Sequence, residues 1–135
     1  MRPVRIVRLA SAALVLPLVA AAPSPFPAGY EASYQAYLKS LPPGGRSAAW
    51  LTRLNGVTAP PAPMPIGGKP TLYLFGCKNH FCDTDNVNIF LAPDRKSFRA
   101  VLKMRGSQML LGGAGPSEVA CVRKLEAAGG VLKAC

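Results

Sequence analysis

An α+β fold is predicted: an antiparallel meander held between helices. Three observations predict it. Apolar residues recur at helical spacing after residue 30. Strand-like runs with period-two alternation fill residues 71–111. A helical pattern returns after the break Gly112-Gly113-Ala114-Gly115-Pro116. At 135 residues and 50% hydrophobic content, the chain is long enough for one domain with a core of its own.

The first 22 residues stand apart. Arg2, Arg5 and Arg8 precede an uncharged apolar run over residues 9–22, too short to span a bilayer comfortably, which ends in the small residues Val19-Ala20-Ala21-Ala22. The reading is a signal peptide over residues 1–21, cleaved after Ala21, with residues 22–135 as a single domain; an uncleaved anchor is the alternative. No Cys follows the run to carry a lipid. Export would leave 13 basic against 6 acidic residues, a charge of +7 in place of +10. No second apolar run of spanning length follows, so no stable membrane anchor is expected in the mature product.

Residues 23–29 are Pro-rich and read as loose. Tyr30, Tyr34, Tyr37, Leu38 and Leu41 then form one helical stripe, stopped by Pro42-Pro43-Gly44-Gly45. Ser47 is placed to cap a shorter helix through Trp50, Leu51 and Leu54, with Trp50 anchored on the sheet and Asn55-Gly56 closing it. Residues 57–70 hold five prolines and read as an extended connector with an edge strand near residues 64–67. Strands are expected at residues 71–75, 87–91, 97–104 and 109–111. In the third, Phe98, Ala100, Leu102 and Met104 face the core, while Arg99, Val101 and Lys103 face water. A final helix runs from Pro116 or Ser117 to Ala128 and ends at Gly129-Gly130. The tail then brings Cys135 back to Cys121.

Four cysteines allow three pairings, and an exported chain keeps its cysteines oxidised. The sequence-local pairs Cys77–Cys82 and Cys121–Cys135 are expected. Chain entropy assigns them about 2 and roughly 3 kcal/mol, so the tighter ring matters more for local shape than for global stability.

That ring, Cys77-Lys78-Asn79-His80-Phe81-Cys82, contains the only histidine. No G-x-S-x-G or H-E-x-x-H pattern accompanies it, and a Cys–His nucleophile would need a free thiolate, so no enzyme is expected. Cys77, His80 and Cys82 have the spacing C-x2-H-x-C with no fourth ligand, so no metal or other cofactor is expected either. Arg95, Lys96, Arg99, Lys103 and Arg105 cluster on one hairpin. Aromatics do not interleave with them, which speaks against nucleic acid and leaves a solvated face or an anionic envelope surface. The ring itself is either a protruding probe or a staple for a β-turn, and spacing alone leaves both open.

The hexapeptide resembles the C-K-P-H-D-C loop of the inhibitor of vertebrate lysozyme (Ivy) family, exported bacterial proteins that block c-type lysozymes. The similarity extends to Ala49-Trp50-Leu51, Gly56-Val57-Thr58, Gly68-Lys69, the run from Asn88 through Pro93-Asp94 to Lys96, Leu110-Leu111-Gly112 and Pro116-Ser117-Glu118-Val119. The resemblance implies a periplasmic protein with a central sheet of about five strands and a disulfide-closed loop that enters the lysozyme cleft. It implies that His80 engages the two catalytic carboxyls and that Lys78 suits an acidic cleft. The family Pro is Asn79 here and the family Asp is Phe81. A mature charge of +7 would be repelled by a basic c-type lysozyme. The partner implied is therefore a c-type lysozyme or a lytic transglycosylase, met by a monomer or homodimer.

Overall fold

The computed structural model describes residues 14–17 and 23–135. Apart from residues 14–17, the expected signal peptide lies outside the described residues. Among the described residues, no helix is long and apolar enough to cross a membrane.

The elements run α1 (Glu31–Ser40), α2 (Pro43–Arg46), α3 (Ala49–Thr52), β1 (Val57–Pro63), β2 (Leu72–Cys77), β3 (Asn86–Leu91), β4 (Phe98–Met104), β5 (Ser107–Leu111) and α4 (Pro116–Ala127). The strands form one antiparallel sheet in the order β1-β2-β3-β4-β5, so every neighbour in sequence is a neighbour in space. The α+β fold with five antiparallel strands is as expected.

The first strand is not where the sequence placed it. The expected edge strand at residues 64–67 is only a bridge between Ile66 and Lys69, and β1 lies earlier, across three prolines. Two features let proline in. β1 is an edge strand, and its register slips between Ala59 and Ala62, so Pro60-Pro61 bulge opposite Leu74. Gly67 and Gly68 take φ of 57° and 77°, the two left-handed positions of a tight hairpin turn, so the supposed connector is one long hairpin. Smaller shifts follow the same logic. The helix stop at residues 42–45 itself forms α2, with Pro43 in its first turn. Ala48, not Ser47, precedes α3, and Leu54 at φ 47° ends it.

The sheet carries a core on each face. On one face Leu74, Val87, Ile89, Leu91, Ala100 and Leu102 meet Tyr37 of α1, Leu41 just beyond its end and Leu51 of α3. The Tyr34 and Tyr37 hydroxyls donate to the carbonyls of Thr52 (2.7 Å) and Leu51 (2.8 Å), tying α1 to the end of α3. Phe26 sits 5.1 Å and 5.3 Å from the rings of Tyr34 and Tyr37, so the Pro-rich leader is pinned, not loose. Trp50 is only half-buried against this core.

The other face is not wet. Cys121, Val122 and Leu125 of α4 cover Tyr73, Phe90 and Val101. Removing a side chain such as Val101 from water contributes about 1.5–3 kcal/mol, which is why α4 lands there. Arg99 and Lys103 escape from under the helix and pair with Glu118 (2.8 Å) and Glu126 (3.4 Å). These pairs set α4 alongside β4, running in the same direction. The Cys121–Cys135 bond and a hydrogen bond from Cys135 N–H to the Pro65 carbonyl (2.8 Å) fasten the tail and α4 to the β1–β2 hairpin.

Candidate functional site

The ring sits where β2 turns into β3. Both expected disulfides form, and no cysteine is free among the described residues. Cys77 and Cys82 therefore offer no thiolate. No group of three His, Cys, Asp or Glu that could hold a metal occurs among the described residues.

Cys77 is fully buried at the end of β2, and Lys78, Asn79, His80 and Phe81 are exposed beyond it. The Lys78 N–H donates to the Asp85 carbonyl (3.0 Å), one rung past the last β2–β3 pair. The Phe81 N–H donates to the Lys78 carbonyl (2.9 Å), which makes residues 78–81 a β-turn. His80 takes φ 69° while Asn79 does not, the sign pattern of a type II turn. That left-handed position suits glycine. Histidine is among the few other residues enriched there, at a cost of roughly 1–2 kcal/mol. The imidazole accepts or donates no hydrogen bond among the described residues, so it stands free at the apex. Phe81 is 48% exposed, and the Lys78 ammonium lies 4.8 Å from its ring centroid.

The base of the ring is braced on three sides. Phe81 O accepts from the N–H groups of Thr84 (3.1 Å) and Asp85 (2.7 Å). The β4–β5 turn reaches over: Arg105 N–H donates to Asp85 Oδ1 (3.2 Å) and Gly106 N–H to Thr84 O (3.0 Å). On the other flank Gly56 passes so close that a Cβ there would overlap the Cys77 carbonyl oxygen. Only glycine permits that approach.

The third brace is a polar relay that sequence reasoning missed. Tyr73 Oη donates to Asn88 Oδ1 (2.6 Å), Asn88 Nδ2 to Asn86 Oδ1 (3.4 Å), and Asn86 Nδ2 to the Cys82 carbonyl (2.7 Å). Asn86 and Asn88 are both buried. Burial pushes the Tyr73 phenol well above its usual range, so it stays a neutral donor. The signal was present: Asn at alternate positions of a strand that is otherwise apolar marks buried amides that need partners.

The basic hairpin does not form one patch. Arg95 lies over Tyr30, 5.5 Å from its ring centroid, Arg99 and Lys103 pair with α4, and Arg105 stands by the ring. No family model and no curated protein matches the chain.

Proposed function

We propose that the protein is an exported, periplasmic inhibitor of a c-type lysozyme or a related muramidase such as a lytic transglycosylase, and that the Cys77–Cys82 ring enters the target's cleft. The observation that carries this reading is His80: an exposed imidazole without a partner, held in left-handed backbone at the tip of a covalently closed, braced turn. A probe already rigid before docking loses little entropy on binding. Glycoside hydrolysis needs one protonated and one ionised carboxyl flanking the bond. An imidazole between them ties up both and offers nothing to cleave. Lys78 and Asn79 supply flanking polar contacts, and Phe81 offers an apolar surface to a sugar subsite.

A cell-lysis assay tests the reading. His80→Gly keeps the left-handed turn and removes the imidazole. Hydrogen bonds to charged groups contribute about 1.5–3 kcal/mol each, so inhibition should weaken roughly 100-fold. If the wild-type protein inhibits neither c-type lysozymes nor lytic transglycosylases at micromolar concentration, the reading fails. The alternative is a basic module that binds an anionic envelope surface through its β3–β4–β5 hairpins. It has less support, since two of its five cations are already paired with α4. It expects salt-sensitive retention on peptidoglycan that ignores His80→Gly.

A further inference from the structure

On the α4 face, beside the ring, a cleft of about 640 Å³ opens between β1, β2 and the C-terminal half of α4. The proposed inhibition makes no use of it. Its size falls within the range of roughly 300–1,000 Å³ typical of small-molecule sites.

The floor is polar but uncharged, formed by Tyr73, Asn86 and Asn88. Each carboxamide has two N–H groups and, among the described residues, spends one: Asn86 on Cys82 O, Asn88 on Asn86 Oδ1. The Tyr73 oxygen donates and keeps its lone pairs. The floor thus retains both donors and an acceptor. The walls are apolar, with Val57 and Phe75 on the sheet side and Leu125 on the helix. The charges are confined to the rim, where Lys103 and Glu126 offset each other at 3.4 Å and Asp83 adds one negative charge. In so basic a chain, this cleft is not suited to an anion.

This lining suits a neutral ligand that offers an apolar face to the wall and a group able both to accept and to donate at the floor. We propose that the cleft binds an N-acetylated amino sugar, with the acetamido group on Asn86 and Asn88 and the pyranose face against Val57 and Phe75.

The test is an amide-resolved NMR titration of the oxidised protein with N,N′-diacetylchitobiose, with cellobiose as the sugar lacking acetamido groups. No muramidase is present, so the outcome does not depend on the inhibitory reading. Chitobiose should shift the side-chain amides of Asn86 and Asn88, and cellobiose should bind about fivefold more weakly, the value of one hydrogen bond. Val57→Trp, on the exposed wall, should abolish the shifts and leave the rest of the spectrum unchanged. Equal binding of both sugars, binding unaffected by Val57→Trp, or still floor amides at about 10 mM chitobiose, above the range of weak ligands, would each overturn the proposal.

Discussion

Cys77 and Cys82 are five positions apart, and Cys121 and Cys135 are fourteen apart. The first bond closes a turn that projects from the end of the sheet, with four exposed residues inside it. The second starts beneath α4, where Cys121 is 1% exposed, and draws the C-terminal tail against the β1–β2 hairpin. The same covalent link serves opposite ends here. One preserves the shape of a small surface, and the other holds a helix over the smaller of the two cores. Stability and function should therefore separate when the bonds are removed one at a time.

The largest stability loss is expected from Cys121→Ala with Cys135→Ala. Opening the longer loop should cost roughly 3 kcal/mol, read as a fall in the urea midpoint, while the proposed inhibition persists below the transition. Cys77→Ala with Cys82→Ala should cost about 2 kcal/mol yet abolish inhibition. If inhibition survives loss of the ring bond, the contrast between the two disulfides collapses. Asn86→Leu comes next: it strands the Cys82 carbonyl and breaks the relay, at about 1–2 kcal/mol. Faster hydrogen exchange should then appear at the ring amides before it appears in α4.

Acid should act on α4 through Glu118. Burial works to raise the Glu118 carboxyl, but hydrogen bonds from Arg99 and from the Gly115 N–H outweigh it and hold the group below its ordinary value. A group depressed in the folded state stabilises above its unfolded value, near 4.3, and that contribution is lost as pH falls through the folded value. Urea midpoints should drop as pH is lowered below about 4, and Glu118→Gln should flatten part of that dependence, the depressed Asp94 and Glu31 carboxyls keeping the rest; an unchanged slope would remove Glu118 from the account. The smallest effect is on the ring itself. Asn79 occupies the second position of the turn, where proline presets φ, so Asn79→Pro should stabilise by about 0.4–1 kcal/mol. It should also tighten inhibition, with the effect measured in the off-rate.

Much of this was legible in residue order. β2, β3 and β4 announce themselves by β-forming runs, α4 by its spacing between Pro116 and Gly129, and both disulfides by proximity in the chain. What was not legible depends on partners distant in sequence. Three prolines argue against a strand unless it is known to lie at an edge with a bulge, and only the pairing with β2 reveals that. Arg99 and Lys103 look like a water-facing row until α4 supplies Glu118 and Glu126. The ring was visible as a closed turn with one histidine, whereas its braces at Gly56, Asn86 and Arg105 come from three other segments.

Those braces have a use outside biology. Every hydrogen bond that supports the base of the ring involves main chain at Lys78, Phe81, Cys82, Thr84 or Asp85, or the side chains of Asp85 and Asn86. No side chain of Asn79, His80 or Phe81 contributes to it. The three apex positions are therefore open to exchange. Randomised with glycine, asparagine or histidine at position 80, they would present a constrained peptide on a small two-disulfide scaffold, and selection for binders would choose among side chains without remaking the fold.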